Sequence, residues 1–255
     1  DLLMAVDISG SMEQTDMSAN GRRITRLMAV KKVIGDFVIR RTADRLGLIL
    51  FGAQAYLQAP LTYDRKTVDQ LLQEAQIGFA GRETAIGDAI GLAVKRLRDR
   101  PNASRVLVVL TDGANTAGVL TPDKATELAQ KAGIKIYTIA FGAESMEVPG
   151  IFGSRTVNPS ADLDEGTMMA IAEKTGGQYF RARNLEELDN IHRELDRLEP
   201  IEMEAETFRP VQTLFYWPLA LAFLLSFLLA LAHIWQGRAI RSTAAIKTTT
   251  SAEVK

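Results

Sequence analysis

Residues 2–11 read LLMAVDISGS, an apolar run that ends with Asp7, Ser9 and Ser11 at alternate positions. A short continuous apolar run is typical of a parallel strand that is covered on both faces. Gly10 between the two serines allows the chain to turn tightly. A carboxylate and two hydroxyls are hard oxygen donors, which suit Mg²⁺ better than zinc. Because Ser and Asp also favour turns, residues 7–11 alone do not distinguish a turn from a metal site.

Two further segments carry oxygen side chains next to predicted elements. Thr84 stands just before a helical pattern that begins at Ala85, and Asp112 follows the apolar run 106–110. Each has an ordinary alternative, since a threonine can cap a helix and Asp112-Gly113 can form a turn. The two serines could also cap a helix, although the nearest helical pattern begins well downstream.

The rest of the chain alternates strand-like runs with helical periods. Strands are predicted at 2–8, 46–51, 55–61, 105–110, 134–141 and 178–182, and helices at 24–40, 68–77, 85–98, 123–132, 163–174 and 185–198. This alternation predicts an α/β fold with a doubly wound, mostly parallel, Rossmann-like sheet flanked by helices. Pro60 makes 55–61 a predicted edge strand. Segment 143–161 shows no period, and we expect it to be mobile or a specialised surface.

In such sheets, ligands bind beyond the carboxyl ends of the strands, near the point where the strand order reverses. Asp7, Ser9 and Ser11 follow one predicted strand and Asp112 follows another. The fold pattern and the oxygen-rich segments therefore predict a common site at one edge of the sheet.

The composition changes after the predicted domain 1–198. Residues 199–213 carry four glutamates against one arginine, a charge of −3, and form a predicted acidic linker. Residues 214–235 contain no Asp, Glu, Lys or Arg. Such a helix would be about 33 Å long, enough for a hydrocarbon core of about 30 Å. Aromatic residues lie at both ends, as in interfacial belts, so 214–235 is a predicted single transmembrane helix in contact with membrane lipid.

The predicted short tail, 236–255, carries four basic residues against one glutamate, a charge of +3. By the positive-inside rule the tail is expected in the cytoplasm, with the domain across the membrane. In a Gram-negative cell this arrangement predicts an inner-membrane protein with a periplasmic domain. Because the first residue is Asp1 and a strand follows at once, we also expect a cut or processed end, with any upstream membrane segment outside this sequence.

Composition excludes several functions. The chain has no cysteine and hence neither disulfides nor thiolate metal sites, and its net charge of −1 gives no reason to expect a nucleic-acid partner. The two histidines, His192 and His233, lie far from the oxygen-rich segments in sequence, so a histidine zinc site is not expected. His192 falls in a strongly charged helical pattern and is predicted to face solvent.

In three segments, Asp7-x-Ser-x-Ser11, Gly81–Ala85 and Thr111–Gly113, the chain resembles the von Willebrand factor A (VWA) family. The metal-ion-dependent adhesion site of that family, its MIDAS, is built from these segments in this order. Each segment is common by itself, whereas all three in the family's order on the expected elements are not.

The resemblance implies a role for each predicted metal ligand. Ser9 and Ser11 would bind Mg²⁺, or Mn²⁺ as an alternative ion, directly, and Asp7 would act mainly through water. Thr84 would be recruited in the ligand-bound state, and Asp112 would act directly or through water according to conformation. Hydroxyl ligands leave much of the ion's charge uncompensated, so a partner's Asp or Glu carboxylate could take an open position.

Further stretches resemble the bacterial aerotolerance (Bat, BatA-like) group within that family. They include 84–90, 163–165 and 175–180, together with the linker, membrane helix and tail. This resemblance implies membrane segments before the domain as well. It also implies other Bat proteins and a MoxR-type AAA+ ATPase as partners, in stress resistance or complex assembly.

The sequence thus favours a membrane-anchored, Mg²⁺-dependent protein-interaction module that is not an enzyme. One alternative is a metal-dependent, phosphatase-like hydrolase, and another is an anchored adhesin. Against a hydrolase, no Ser/His/Asp set, second carboxylate cluster or Gly-rich phosphate loop is apparent in the sequence.

Overall fold

The structure is a computed structural model, and it describes residues 1–19, 21–100, 105–150, 153–199 and 217–229. The chain divides into two compact units, Asp1–Met203 and Glu204–Lys255. In the second unit, residues 217–229 form a helix whose residues are all exposed. Within the described ranges, no helix is both long and apolar enough to cross a membrane. The predicted tail 236–255, the predicted linker apart from Glu199, and both ends of the predicted span 214–235 lie outside the described residues.

In the described part of the first unit, strands and helices alternate along the chain. The strands are β1 (Leu2–Asp7), β2 (Met17–Ala19), β3 (Arg22–Ile24), β4 (Leu46–Phe51), β5 (Ala55–Thr62), β6 (Val106–Thr111), β7 (Lys135–Phe141), β8 (Met146–Gly150), β9 (Gly153–Val157) and β10 (Tyr179–Ala182). The α-helices are α1 (Arg26–Arg40), α2 (Arg65–Gln73), α3 (Ile86–Leu97), α4 (Pro122–Lys131), α5 (Glu165–Lys174) and α6 (Leu185–Leu198). A short 3₁₀ helix, Gly10–Glu13, follows β1.

Six strands form the main sheet, in the order β10-β7-β6-β1-β4-β5. Every neighbouring pair is parallel except β4 and β5, which are antiparallel. The prediction of a mostly parallel sheet is confirmed, and the strand that contains Pro60 lies at its edge. After β1 the sheet grows first through β4 on one side and later through β6 on the other. The strand order therefore reverses between β1 and β6, where a ligand site is expected.

Helices cover both faces of this sheet, and β1 shows how the sequence achieves this. Successive side chains of a strand point to opposite faces. Leu2, Met4 and Val6 accordingly pack in one apolar core with α1, α2 and α6, whereas Leu3 and Ala5 pack in a second core with α3, α4 and α5. All six residues of β1 are buried. The continuous apolar run is thus explained by a strand that has a core on each side.

The structure contains two elements that were not predicted from the sequence, and it corrects one prediction. The chain forms a small antiparallel hairpin, β2–β3, that was not predicted, because three-residue strands are too short to show a period. Segment 143–161 contains the antiparallel pair β8–β9. The prediction that His192 faces solvent is wrong, since its side chain is 1% exposed. It lies on the same face of α6 as Leu188 and Leu195, and its ring centre is 4.8 Å from that of Phe37 in α1.

Candidate metal centre

The parallel pairing of β1 and β6 brings two predicted site carboxylates to one edge of the sheet. Val6 pairs with Leu110, so the two strands end at the same level. Asp7 is the last residue of β1, and Asp112 comes directly after β6. Asp7 is 0% exposed and Asp112 is 2% exposed, so both carboxylates are withdrawn from water. The expectation of a shared location at this edge is met by the geometry.

The carboxylate of Asp7 is fixed at both oxygens. The backbone N–H of Ser9 donates to Oδ1 at 2.8 Å, and the hydroxyl of Thr111 donates to Oδ2 at 2.5 Å. Thr111 was not singled out as a functional residue in the sequence, although its position as the last residue of a buried strand was a usable signal. A polar residue there must find a buried partner, because an unpaired buried hydroxyl is costly.

A chain of hydroxyl contacts joins the two strand ends. Ser9 Oγ lies 2.9 Å from Ser11 Oγ, and Ser11 Oγ donates to Asp112 Oδ1 at 2.5 Å. Ser9 occupies the N-cap position of the 3₁₀ helix Gly10–Glu13 but makes no side-chain capping bond there. The capping alternative therefore does not account for the Ser9 hydroxyl, which belongs to the cluster with Ser11 and Asp112.

The fifth predicted residue, Thr84, faces the same space from another loop. If Gly113 carried a Cβ atom, that atom would lie 3.9 Å from both Ser11 Oγ and Thr84 Oγ1. The loop is held through the Thr84 backbone: its N–H donates to Thr116 Oγ1 at 3.0 Å, and its carbonyl accepts from Thr116 N at 2.9 Å. The N-cap of α3 is Ala85, so Thr84 is not the helix cap that the alternative reading proposed.

The structure adds Arg26, a buried cation that the sequence analysis did not single out. Its guanidinium, 1% exposed, donates from Nη1 to Asp112 Oδ2 at 2.7 Å. Its Nη2 donates to Asp16 Oδ2 at 2.6 Å, and the side chain of Asp16 is 0% exposed. A signal did exist, because Arg26 stands on the buried face of α1 beside Leu27 and Val30. A charge at such a position is rarely buried unless it is paired.

The buried charges of this cluster do not balance. The carboxylates of Asp7, Asp16 and Asp112 against the guanidinium of Arg26 leave a charge of −2 when all are ionised. Burial, followed by the charge of Asp112, raises the pKa of Asp7 to about 7. Burial also raises the pKa of Asp112, although Arg26 opposes that shift. A buried excess of two negative charges is the environment that a divalent cation would neutralise.

Comparison with known proteins places most of the first unit in one family. The family model described as von Willebrand factor type A domain matches residues 1–194. The chain belongs to the VWA family.

Solved structures agree with the VWA assignment and with the likeness to the aerotolerance group. BatB from Bacteroides thetaiotaomicron is 26% identical, with a TM-score of 0.63, over 77% of this chain and 97% of that one. An aerotolerance-related membrane protein from Bacteroides fragilis is 25% identical, with a TM-score of 0.63, over 78% and 97%. Proximal thread matrix protein 1 of the mussel byssus, described with a zinc-occupied MIDAS motif, is 20% identical, with a TM-score of 0.59, over 77% and 44%.

The last of these likenesses shows a shared fold alone. This chain spans between 53% and 62% of the length of eight curated relatives, to which it is 26–30% identical.

The donor set of this VWA domain fits a hard divalent cation. Hydroxyls of Ser9, Ser11 and Thr84 and carboxylates of Asp7 and Asp112 surround one space and offer oxygen only, as Mg²⁺ prefers. Across the described residues, no group of three or more His, Asp or Glu side chains is placed to hold a metal ion. That these five residues ligate a metal remains a prediction.

An exposed cation lies beside this VWA site. Gly10 N donates to the carbonyl of Arg82 at 2.9 Å, and a Cβ on Gly10 would lie 3.2 Å from Arg82 Nε and Nη2. The guanidinium thus lies over the residue between the two site serines. Its side chain is 70% exposed and pairs with the exposed Glu13, whose Oε2 accepts from Nη2 at 3.2 Å. Gly81, directly before Arg82, allows the chain to bend here, since its φ of +92° is a backbone conformation that residues with a side chain rarely adopt.

Proposed function

We propose that this VWA domain is a protein-interaction module that binds its partner through Mg²⁺ held by Asp7, Ser9, Ser11, Thr84 and Asp112. The observation that carries the proposal is the cluster of hydroxyls between buried carboxylates, with two uncompensated negative charges. When bound, Mg²⁺ would supply an electrophilic centre for an anionic oxygen, and Mn²⁺ is the alternative ion. Asp7 and Asp112 balance its charge from buried positions, while the serine hydroxyls add no negative charge.

The partner group proposed for this site is an Asp or Glu carboxylate. Two exposed side chains support an anionic and partly apolar partner surface. Arg82 places a guanidinium over Gly10, where its Nη2 donates to the exposed carboxylate of Glu13 at 3.2 Å, and a partner carboxylate would compete with Glu13 for this cation. Phe79, 79% exposed, lies in the turn between Gly78 and Arg82, and Gly78 N donates to Ile8 O at 2.8 Å just after β1. An exposed aromatic residue at the rim of a site commonly contributes to recognition.

The biological setting that we propose is a Bat/MoxR-type system for stress resistance or complex assembly. Likeness to BatB and to an aerotolerance-related protein supports the Bat part of this proposal. The partners would be other Bat proteins and a MoxR-type AAA+ ATPase, with contact to membrane lipid. The mussel protein with its zinc-occupied MIDAS supports a divalent metal in this fold.

Titration calorimetry of the full chain in detergent tests the metal site. We expect one Mg²⁺ site in the wild type, and we expect Asp7→Ala or the pair Ser9→Ala/Ser11→Ala to abolish it. Asp64→Ala is the matched control, because Asp64 caps the distant helix α2. Unchanged Mg²⁺ affinity in both site variants would remove these residues from the proposed site.

Capture of partners from detergent-solubilised membranes, with Mg²⁺ or with EDTA, tests the interaction function. We expect a discrete protein that is retained with Mg²⁺, released by EDTA and lost with Asp7→Ala. Hydrolysis of a phosphate ester by the purified chain, lost in the same variant, would instead favour the phosphatase-like alternative. A captured ligand on the surface of another cell would favour an anchored adhesin.

For the location, we propose anchoring in the inner membrane by residues 214–235, with the VWA domain periplasmic and the tail 236–255 cytoplasmic. Support comes from the absence of charge in 214–235, from the exposed apolar helix at 217–229, and from the likeness to a protein described as a membrane protein. A phosphatase reporter fused after Lys255 should be inactive and a cytoplasmic reporter there active. The opposite pattern would reverse this orientation.

A further inference from the structure

We propose that a basic cluster at the edge of the sheet opposite the metal centre is a docking surface for anionic phospholipid headgroups, and that it holds the VWA domain with its metal centre away from the bilayer. The basic cluster consists of the exposed residues Lys95, Arg96, Arg98 and Lys131. This inference rests on the proposed anchoring by residues 214–235 and adds an orientation to it.

Helices α3 and α4 place the basic cluster at that edge. Helix α3 begins at Ile86, two residues after Thr84 of the metal centre, and its 12 residues rise by about 18 Å to Leu97. The chain then enters the sheet at the first residue of β6. Helix α4 likewise starts beyond the end of β6 and stops at Lys131, shortly before β7 begins. The ends of both helices therefore lie where the parallel strands start.

The chain leaves the described part of the first unit at this same edge. Glu199 follows α6, and its carboxylate accepts from Lys135 Nζ at 2.5 Å. Lys135 N in turn donates to Arg105 O at 3.0 Å, and Arg105 Nε donates to Arg100 O at 2.6 Å, just after α3. These contacts join the exit of the chain to the end of α3 that carries most of the basic cluster.

Segment 95–105 concentrates positive charge in a chain that is otherwise nearly neutral. It carries five basic residues against one aspartate, a charge of +4, whereas the net charge of the whole chain is −1. Arg105 is used within the fold, since its guanidinium donates to the carbonyls of Arg100 and Ala132. It is therefore not counted in the basic cluster.

The residues of the basic cluster are not used within the fold in this way. Lys95, Arg96 and Lys131 form no ion pair with another residue in the described ranges, and the Arg98–Asp99 pair is so exposed, at 62% and 83%, that it contributes little. Basic side chains in the last turn of a helix do stabilise its carboxyl end. That effect leaves the charged groups in water, where an external anion can reach them.

An anionic bilayer is the partner that fits the basic cluster. Residues 200–213 separate Glu199 from the uncharged run 214–235 and reach at most about 50 Å when fully extended. A bilayer that holds this run is therefore always close to the domain, at a high effective concentration. Each Lys or Arg near an anionic membrane surface strengthens binding by about fivefold, so the basic cluster attracts such a surface without any pocket.

Docking through this edge determines where the metal centre faces. Strand β1 begins at Leu2 on the docking side and ends at Asp7 in the metal centre. With the basic cluster on the bilayer, the metal centre points away from it and is open to a partner in the same compartment. A tether alone would leave this orientation free.

The test places the full chain in nanodiscs of phosphatidylcholine, with or without phosphatidylglycerol as the anionic lipid, and both kinds of disc carry a nitroxide on some headgroups. The chain has no cysteine, so one introduced cysteine carries a single fluorophore. Gln130→Cys reports from the exposed position beside Lys131. Val119→Cys is the matched position at the opposite edge, because Val119 is 99% exposed in the loop that follows Asp112.

We expect the nitroxide to quench the fluorophore at position 130 several-fold more strongly in anionic than in neutral discs, and to quench the one at position 119 equally little in both. The difference should disappear at about 1 M NaCl, where the Debye length is about 3 Å. The three glutamates within residues 200–213 compete for the same cations. The comparison between the two lipids therefore carries the test, and not quenching in one of them.

Charge variants identify the surface. Removing three positive charges from the basic cluster should lower the ratio of docked to free domain in anionic discs by about a hundredfold, at about fivefold for each residue. The matched control removes three exposed positive charges from β3 and α1 and should quench like wild type. The two variants are Lys95→Gln/Arg96→Gln/Arg98→Gln and Arg22→Gln/Arg23→Gln/Lys32→Gln. Circular dichroism checks that both are folded.

Equal quenching at position 130 in neutral and anionic discs, or undiminished quenching in the folded cluster variant, would overturn docking on anionic lipid. Stronger quenching at position 119 than at position 130 would overturn the orientation. The results should be the same in Mg²⁺ and in EDTA, so a failure of the proposed metal site leaves this test intact. A chain that does not enter the nanodiscs would overturn the proposed anchoring, and docking with it.

Discussion

Two arginines among the described residues, Arg26 and Arg41, are buried in similar ion pairs but differ in the charge that surrounds them. The side chains of Arg26 and Arg41 are 1% and 2% exposed, and each pairs with two aspartates. The carboxylates around Arg26 are 0% exposed, whereas those around Arg41 are 19% and 33% exposed, so water shares their charge. Burial of a cation does not by itself mark a functional site. What distinguishes the two regions is whether the charge around the cation is compensated.

Arg41 acts as a clamp between helices. It donates to Leu195 O at 3.2 Å and Glu199 O at 2.8 Å at the carboxyl end of α6, and its guanidinium carbon lies 5.3 Å from the ring centre of Phe37. Cations stabilise the unpaired carbonyls at such a helix end. The charges around Arg41 therefore need no further cation, whereas the carboxylates around Arg26 retain excess negative charge.

Replacing Arg41 should give the largest loss of stability. Arg41→Met removes the cation that pairs with Asp44 and Asp196 and the donor to two backbone carbonyls, so we expect the free energy of unfolding to fall by about 3–5 kcal/mol. Chemical denaturation monitored by circular dichroism measures this change. Arg40→Met is the control, since the Arg40–Asp189 pair is 42% and 28% exposed and such pairs contribute about 1 kcal/mol or less. Equal losses in the two variants would show that the clamp is not structural.

Asp7→Asn should have the opposite effect in the absence of metal. The pKa of Asp7 is raised from 3.8 to about 7, so the folded state holds a proton that the unfolded state has already released. Stability of the metal-free wild type therefore falls as the pH rises from about 4 to about 7 and stays low above that. At pH 8 in EDTA, the asparagine variant should be more stable by about 4 kcal/mol, since a shift of about three pKa units is worth about 1.4 kcal/mol per unit.

Thermal unfolding of Asp7→Asn and wild type, with EDTA and with excess Mg²⁺, measures the difference. Mg²⁺ should stabilise the wild type by binding its folded state and should leave the variant unchanged. If the variant is less stable than wild type in EDTA at pH 8, the charge of Asp7 does not destabilise the metal-free protein.

The third prediction concerns His192, near Arg41, and the dependence of stability on pH. Burial, with a smaller contribution from Arg40 and Arg41, lowers the pKa of His192 from 6.5 to about 4. The hydrogen bond to the backbone of Leu188 and the charge of Asp189 oppose this shift. The unfolded state therefore takes up a proton first as the pH falls, and stability is lost between about pH 6.5 and pH 4. The loss attributable to this group is about 2–3 kcal/mol.

His192→Leu should remove that part of the acid sensitivity, which denaturation at pH 7 and pH 4.5 would reveal as a smaller difference than in wild type. The ring contacts Phe37, and its Nδ1 lies 2.8 Å from Leu188 O, so some stability at pH 7 will also change. The pH slope, and not the absolute stability, is the quantity to compare. An identical slope in both proteins would show that His192 does not titrate in this range on unfolding.

Most of the fold could be predicted from the sequence because the central strands of the main sheet are continuous apolar runs. The strands β1, β4 and β6 are buried on both faces, and such runs need no knowledge of their neighbours. Pro60 identified the edge strand in the same local way. The hairpin β2–β3 could not be predicted, since its residues alternate too briefly. His192 was misplaced because the charged residues around it obscured a face that packs on α1.

The candidate site divides in the same manner. Asp7, Ser9 and Asp112 could be predicted, since each follows a strand end in the local sequence. Arg26 could not be placed, because its partner Asp112 is 86 residues away and nothing local specifies that pair. Thr111 was within the quoted segment, but its bond to Asp7 depends on the pairing of β1 with β6. Tertiary partners of buried charges are the part that sequence patterns do not contain.

The smallest effect on stability, and the sharpest on recognition, is expected for Thr84. Thr84→Ala keeps the backbone bonds that hold its loop to Thr116, so the free energy of unfolding should change by less than about 1 kcal/mol, as for a substitution that spares the packing.

In the same variant, Mg²⁺ affinity should fall only slightly, because the two serines and two carboxylates remain. Partner binding in saturating Mg²⁺ should fall by about tenfold, the effect of one lost contact of about 1.4 kcal/mol. Thr84→Ser retains the hydroxyl and should bind the partner like wild type. If the partner binds wild type and Thr84→Ala equally well in Mg²⁺, and equally well in EDTA, then the metal serves the fold alone and recognition lies elsewhere on the domain.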